Sequence, residues 1–104
     1  MELLGKDFPY ADNSLHGKHA LICGASKGIG LATAKMMAKA GANVSICARN
    51  QKALEELLLQ LNQLGSGKHN MYVIDLEDCE TLGDKAELIL SEQGPVHILV
   101  NNSG

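Results

Sequence analysis

The sequence predicts an α/β fold, a doubly wound parallel sheet whose strands and helices alternate in the order βαβαβαβ. Four short apolar runs have the length of buried strands. Three longer segments between them carry apolar residues at helical spacing. Glycines or polar residues separate these segments. Such regular alternation is typical of parallel sheets with right-handed crossover helices.

The first half of the chain is predicted to form a strand, a helix and a second strand. The first strand is expected over residues 19–23, an apolar run that stops at a glycine. The helix after it ends at Gly41. The second strand is expected over residues 42–48. The predicted apolar stripe of the helix consists of Ile29, Ala32, Thr33, Met36, Met37 and Ala40.

The second half repeats this pattern with two more helices and two more strands. Asn50 is a predicted N-cap for a helix that ends at Gly65. Strands are expected over residues 71–75 and 96–100. Asp78 and Thr81 are alternative caps for the last helix. The apolar stripes of the two helices consist of Leu54, Leu57, Leu58, Leu61 and Leu64, and of Leu82, Ala86, Ile89 and Leu90.

Length and composition indicate one globular domain. The chain has 104 residues, of which 45% are hydrophobic and 20% charged, with a net charge of −3. Neither a nucleic-acid partner nor a membrane partner is predicted, because the chain is mildly acidic and has no long apolar run. The histidines lack metal-ligand spacing, so no metal is predicted. Cys23 and Cys47 lie in apolar runs, which predicts reduced, buried thiols and a cytoplasmic location.

Charge is distributed unevenly along the chain. Residues 13–54 contain six lysines and arginines and no acidic residue, whereas residues 55–104 contain nine acidic residues. An acid-free cationic stretch in an acidic protein suggests that this stretch binds an anion. The alternative is a chance distribution over two solvated helix faces.

A glycine-rich turn lies between the first strand and the first helix. Gly24 permits a tight turn, Gly28 lets a phosphate approach the backbone, and Gly30 lets the helix pack closely on the strand. The N-terminus of the helix then offers free N–H donors and a partial positive charge to a pyrophosphate. The strand–turn–helix context favours a dinucleotide site over a purely structural turn.

The end of the second strand bears on which dinucleotide is bound. Sheets that bind NAD usually carry an acidic residue there, which holds the ribose 2′-hydroxyl. This chain has Arg49 and Asn50 instead, with no acid before Glu55. An arginine suits a 2′-phosphate, and Lys27 in the turn is within reach of the same group, so NADP is predicted. The alternative is that Arg49 is a solvated charge at a strand end.

These residues resemble the short-chain dehydrogenases/reductases, whose first turn reads T-G-x-x-x-G-x-G. Residues 23–30 match it except for Cys23 in place of threonine. Asp75-Leu76 matches the family's adenine-binding aspartate, and residues 101–104 match N-N-A-G except at Ser103. The resemblance runs from about residue 17 to the last residue and is closest to 3-oxoacyl-carrier-protein reductases. It implies cofactor contacts from Gly24, Ala25, Ser26, Lys27, Gly28, Ile29, Gly30, Arg49, Asn50, Asp75, Leu76, Asn102, Ser103 and Gly104.

The resemblance implies a Rossmann-type sheet of strand order 3-2-1-4, with the first two helices on one face and the third on the other. Residues 1–17 are expected to be a lead-in. Residues 18–104 are expected to be an NADP-binding half-domain, truncated before the catalytic half. No Tyr-x-x-x-Lys pair is present, so no catalytic residue is assigned. Strand four is expected to be a poorly protected edge, so the 104-residue chain should fold poorly or aggregate alone.

The implied reaction is hydride transfer between NADP(H) and a carbonyl or alcohol substrate in the full-length protein. A 3-oxoacyl thioester is one candidate substrate. Members of this family often form homo-oligomers, so self-association of the full-length protein is expected. Two alternatives stay open for the chain itself: a non-catalytic module that binds NADP(H), and an inactive fragment.

Overall fold

The computed structural model describes residues 15–26, 28–65, 67–75 and 79–101, with the backbone alone for residues 79–82. The predicted order of elements is confirmed. The elements are β1 (His19–Cys23), α1 (Gly28–Lys39), β2 (Asn43–Ala48), α2 (Gln51–Leu64), β3 (Asn70–Val73), α3 (Cys79–Gln93) and β4 (Ile98–Asn101).

The four strands form one parallel sheet in the order β3-β2-β1-β4, which confirms the predicted order. β1 lies between β2 and β4, and Cys23 is paired with Cys47 on one side and Asn101 on the other. In β3, Val73 pairs with Ala48. Because all strands are parallel, their carboxyl ends meet at one edge of the sheet, to which we refer as the carboxyl edge.

Side chains of successive strand residues point to opposite faces of the sheet and enter two separate clusters. On one face, Ile22 and Ile46 pack with side chains of α1 and α2, including Ala34 and Leu54. The other face carries a smaller cluster that includes a residue of α3 and consists of Cys47, Tyr72, Ile74 and Ile89. The prediction that α1 and α2 share a face while α3 lies on the other is therefore confirmed.

The buried face of α1 differs from the predicted stripe. Ile29 is 54% exposed, Ala32 is exposed and the two methionines are only half-buried. Thr33 was predicted correctly. Small side chains allow the helix axis to approach the sheet closely, whereas the larger apolar residues lie beside the contact. The buried positions within α1 are Gly30, Thr33, Ala34 and Ala38.

α2 follows its prediction at both ends. The side chain of Asn50 accepts a hydrogen bond from the Ala53 N–H at 3.0 Å, as an N-cap does. At the other end, the Gly65 N–H donates to the Leu61 carbonyl at 3.2 Å. From the predicted stripe, Leu58 is only half-buried and Leu64 is exposed, because these two lie at the margin of the contact. The buried leucines are Leu54, Leu57 and Leu61.

α3 contacts the sheet through a narrower face than predicted. Thr81 lies inside the helix, which begins at Cys79, so the prediction of Thr81 as the cap is wrong. Asp78 lies outside the described residues. Ile89 is buried, whereas Ala86 and Leu90 are exposed. The reason is that Ile89 packs into the cluster beside β2 and β3, and no described element covers the outer side of the helix.

Hydrogen bonds at the end of α3 attach the helix to β3. The Tyr72 hydroxyl donates to a carboxylate oxygen of Glu92 at 2.9 Å and accepts from the Gln93 side-chain amide at 3.1 Å. Burial raises the pKa of Tyr72, so the hydroxyl keeps its proton.

Among the helices of the described residues, none is long and apolar enough to cross a membrane.

β1 has the predicted boundaries, and the boundaries of β2, β3 and β4 differ from the predicted ones by at most two residues. β2 begins at Asn43, β3 covers Asn70–Val73 and β4 covers Ile98–Asn101. The pairing of β1 with β4 begins at Ala20 and Ile98, and just before it the His97 side chain accepts the hydrogen bond from the His19 N–H.

Candidate functional site

The candidate site lies at the carboxyl edge of the sheet, where residues predicted from distant parts of the sequence come together. The glycine-rich turn follows β1, Arg49 and Asn50 follow β2, and Asp75 follows β3. Asn101 is the last residue of β4. Four predicted site residues or groups lie outside the described residues: Lys27, Leu76, Asn102 and Ser103-Gly104.

The glycine-rich turn is fixed to β2 by two hydrogen bonds. The N–H groups of Gly24 and Ala25 donate to the Cys47 carbonyl at 2.9 and 3.2 Å. Gly24 has a φ of 73°, a conformation that favours glycine. Ala25 is fully buried. The turn is thus a defined structure that holds the start of α1 over the end of the sheet.

The start of α1 is open on its outer side. Gly28 has a φ of 65°, and among the described residues no heavy atom outside its chain neighbours and its own helix backbone lies within 4 Å of the position that a Cβ would take there. Ile29 points outward, and Gly30 is buried. The first turn of α1 contains no acidic residue. The partial positive charge of this helix end is therefore not neutralised within its first turn.

A pocket lies beside the turn and the start of α2. Its cavity volume is about 540 Å³, and Ser26, Arg49, Asn50 and Ala53 line it. Arg49 is exposed, and the Asn50 side chain caps α2. The fold therefore brings the predicted Ser26 from the turn and Arg49 from the end of β2 to one pocket, and among the described residues its lining contains a cation and no carboxylate.

Asp75 lies in the segment that extends the β2–β3 ladder. The Ile74 N–H donates to the Ala48 carbonyl at 2.9 Å. Asp75 follows directly and is exposed. Its position beside the segment after β2 agrees with the edge that the sequence predicted for it.

Comparison with known proteins assigns the chain to a family. The short chain dehydrogenase family matches residues 18–104, which is most of the sequence. The chain belongs to the short chain dehydrogenase family. The strands and turns that form the candidate site therefore belong to the sheet of a short chain dehydrogenase.

Two relatives illustrate the different oxidoreductases to which the chain is similar. A fatty acyl-CoA reductase from Acinetobacter baylyi is 41% identical over 91 residues, covering 88% of this chain and 30% of that protein. A gluconate 5-dehydrogenase from Gluconobacter oxydans is 38% identical over 91 residues, covering 88% of this chain and 35% of that protein. This short chain dehydrogenase sequence thus spans about a third of the length of the relatives it matches.

Solved structures confirm the fold and include two different cofactors. L-sorbose reductase from Gluconobacter frateurii, in complex with NADPH and L-sorbose, has a TM-score of 0.80 at 36% identity, covering 86% of this chain and 34% of that one. An NAD⁺-bound xylitol dehydrogenase has a TM-score of 0.82 at 29% identity, with coverages of 86% and 34%. Similarity to short chain dehydrogenases therefore does not decide between NADPH and NAD⁺. The cofactor preference has to be inferred from residues of this chain.

Sequence reasoning missed one chemically active feature of this short chain dehydrogenase. Cys47 is buried as predicted, but Cys23 is only half-buried, so the prediction of two buried thiols is wrong for Cys23. A hydrogen bond from the Cys47 thiol lowers the pKa of Cys23 to about 7, although burial opposes this. The same contact raises the pKa of Cys47, and burial and the nearby charge act in the same direction.

A signal for this pair was present in the sequence. Cys23 and Cys47 each lie near the end of an apolar run, and consecutive parallel strands bring such positions to one edge. The sequence does not give the register of β1 and β2. A shift of one residue in that register would place the two thiols on opposite faces of the sheet.

Proposed function

We propose that this chain is the cofactor-binding part of an oxidoreductase that transfers a hydride between NADP(H) and a carbonyl or alcohol substrate. The observation that carries the proposal is the pocket shared by Ser26 and Arg49 beside the glycine-rich turn. A guanidinium forms strong, charge-assisted hydrogen bonds with phosphate. A carboxylate would be expected at the end of β2 if the 2′-hydroxyl of NAD were the target.

The residues of the turn fit a dinucleotide. The open space at Gly28 gives a phosphate access to the backbone at the start of α1. In our proposal, residues 24–30 contact the pyrophosphate, with the backbone N–H of Ile29 at the start of α1 as a donor. Ser26, Lys27, Arg49 and Asn50 bind the 2′-phosphate and its ribose. When bound, NADP(H) supplies the hydride or accepts it.

The remaining contacts in the proposal come from the ends of β3 and β4. Asp75 and Leu76 bind the adenine, with the carboxylate accepting from the adenine amine. Asn102, Ser103 and Gly104 contact the cofactor on the nicotinamide side. We assign no catalytic residue to this chain, so the acid/base for the substrate oxygen comes from elsewhere in the protein.

We further propose an acyl or small-molecule carbonyl substrate, a cytoplasmic location and a homo-oligomeric full-length protein. The resemblance of residues 17–104 to 3-oxoacyl-carrier-protein reductases supports a 3-oxoacyl thioester as the first substrate to assay. The free thiols of Cys23 and Cys47 support a reducing compartment.

The charge swap Arg49→Asp in the full-length protein tests the cofactor assignment. We expect NADPH to bind at least about tenfold more weakly and NADH to bind more tightly, because the variant loses the cation and gains an acceptor for the 2′-hydroxyl. Titration of nucleotide fluorescence measures both dissociation constants. Lys52→Asp is the matched control, because it makes the same change of charge at an exposed site in α2 outside the pocket lining. An unchanged ratio of the two constants in Arg49→Asp would reject the assignment.

A further inference from the structure

Cys23 and Cys47 are direct neighbours on adjacent parallel strands. They are paired in the register of β1 and β2, and both point to the face that α3 covers. Neighbouring strands lie about 4.8 Å apart, and disulfides bridge Cα atoms that are roughly 4.4–6.8 Å apart. The spacing of paired Cα atoms on adjacent strands is therefore within the range that a disulfide bridges. Cys23 also packs against the cluster that contains Cys47.

The two thiols differ in exposure and in proton affinity. Cys47 is 1% exposed, whereas Cys23 is half-buried and accessible at the carboxyl edge. With a pKa of about 7, Cys23 is substantially ionised at neutral pH, and the thiolate is the reactive form. The pKa of Cys47 is raised by its interaction with Cys23 and by burial, so Cys47 keeps its proton. Cys23 is thus the thiol that meets a reagent first, and Cys47 lies beside it.

We propose that Cys23 and Cys47 form a peroxide-sensitive thiol pair that closes to a disulfide beside the glycine-rich turn. In the first step, the Cys23 thiolate attacks one oxygen of hydrogen peroxide. An S–O bond forms, the O–O bond breaks, and the hydroxide that leaves takes up a proton to become water. Cys23 is then a sulfenic acid.

In the second step, the Cys47 sulfur attacks the Cys23 sulfur. An S–S bond forms, the S–O bond breaks, and the departing hydroxide combines with the proton of Cys47 to give a second water. Two thiols lose two electrons in total, and one peroxide is reduced to two waters. Loss of the charge on Cys23 in the first step weakens both its interaction with the Cys47 thiol and its repulsion of a Cys47 thiolate, two of the causes that raise the pKa of Cys47, and this favours the attack.

A disulfide here would act on the turn that follows it. Cys23 directly precedes Gly24, and the Cys47 carbonyl accepts the hydrogen bonds of Gly24 and Ala25. The disulfide would therefore join the residue that directly precedes the turn to the residue that accepts the two hydrogen bonds of the turn. Oxidation should therefore lower the affinity for NADPH. This consequence rests on the proposed function. The family pattern has threonine at position 23, so the pair depends on a residue in which this chain departs from that pattern.

Peptide mapping of the full-length protein tests the pair directly. Trypsin releases peptides 19–27 and 40–49, each with one of the two cysteines. After treatment with hydrogen peroxide and alkylation of the remaining thiols, we expect a linked pair of these peptides that lacks two hydrogens. Dithiothreitol should release both peptides. Recovery of both as alkylated thiols, or of Cys23 as a sulfinic acid without the link, would overturn the proposal.

Three variants assign the roles. In Cys47→Ser, we expect a sulfenic acid at Cys23 that dimedone traps, and no link. In Cys23→Ser, Cys47 should stay unmodified, because it is buried. Cys79→Ser is the matched control that removes the third cysteine and should leave the link unchanged. A link between other cysteines in place of this one, or trapping of Cys47 in Cys23→Ser, would contradict the roles assigned here.

Binding of NADPH to the reduced and oxidised protein tests the consequence. We expect the dissociation constant to rise roughly tenfold on oxidation and to recover with dithiothreitol. Cys47→Ser should show no such reversible change. An unchanged constant in protein that carries the link would overturn control of binding by the pair. Failure of the reduced protein to bind NADPH would instead reject the proposed function, while the peptide map still decides on the disulfide.

Discussion

His97 and His19 exchange two hydrogen bonds at the amino edge of the sheet. The His19 N–H donates to Nδ1 of His97 at 3.0 Å, and the His97 N–H donates to the His19 carbonyl at 2.9 Å. The buried His19 ring extends this contact, with Nε2 2.7 Å from the Ser45 hydroxyl and Nδ1 3.2 Å from the Pro95 carbonyl. Because a carbonyl only accepts, Nδ1 of His19 carries the proton towards Pro95. These contacts connect β1, β2 and the segment before β4, opposite the candidate site.

His97→Ala should lower the free energy of unfolding by about 1 kcal/mol, because it removes the acceptor for the His19 N–H. His97→Asn should recover part of this loss, since its Oδ1 can accept in a position similar to that of Nδ1. Chemical denaturation of the full-length protein measures both values. Equal stability of His97→Ala and the unaltered protein would show that water replaces the ring at no cost.

Gly65→Ala should destabilise the protein by about 1–3 kcal/mol through overpacking. Its backbone is extended, with a φ of −148°, so the glycine is required for space rather than for conformation. A Cβ there would lie 2.0 Å from the Ala38 carbonyl oxygen, so the chain would have to move away from α1.

Gly83→Ala provides the control for that substitution. Gly83 lies within α3, and in the part of the chain that the structure describes no heavy atom outside its chain neighbours and its own helix backbone lies within 4 Å of its Cβ position. Alanine there should stabilise the protein by about 0.5–1 kcal/mol, because it favours the helix. Thermal unfolding curves of the two variants should shift in opposite directions. An unchanged or raised melting temperature of Gly65→Ala would contradict the packing argument, and a lowered one of Gly83→Ala would contradict the gain expected from the helix.

Most of the fold follows from local sequence signals, because the elements and their caps depend on neighbouring residues. Asn50 at the start of α2 and the glycines of the turn were identified from their own surroundings. The strand order followed from the family resemblance. Ser26 and Arg49 were each singled out from the sequence, and the structure places both in the lining of one pocket at the carboxyl edge.

Details that depend on register and on close packing were not predictable in this way. The buried face of α1 is formed by Gly30, Ala34 and Ala38, whose low hydrophobicity gives a weak periodic signal. The contacts of His19 with His97 and of Cys23 with Cys47 depend on which strand residues face each other. That pairing is set by the whole sheet rather than by either segment.

His69 should make stability depend on pH in the neutral range. It is buried, and its Nδ1 accepts from the Val44 N–H at 3.2 Å, an interaction that protonation of Nδ1 would remove. Burial lowers the pKa of His69 below its ordinary value of 6.5. The unfolded chain therefore binds the proton first. Stability from His69 is complete above pH 6.5 and is lost as the pH falls from there through the lowered pKa of the folded state.

His69→Asn tests this dependence, because Oδ1 can still accept from Val44 while the titrating group is gone. The difference in melting temperature between the unaltered protein and the variant should change between about pH 7.5 and 5.5, with the unaltered protein losing more. The other histidines are common to both proteins and cancel in the comparison. Parallel curves over this range would show that His69 does not contribute to the pH dependence.

The exposure of Leu99 on β4 predicts that residues 1–104 self-associate when they are produced alone. Among the described strands, β4 pairs only with β1, and Leu99 is 64% exposed on the face where α3 covers Cys47 and Tyr72. An apolar strand at an open edge is a template for pairing with another chain. Light scattering should therefore show a mass that rises with concentration. Leu99→Lys should reduce this rise, because a charge opposes pairing at the edge, whereas Leu59→Lys, at a position on α2 that is 67% exposed, should not. A monomer that melts cooperatively would contradict the prediction.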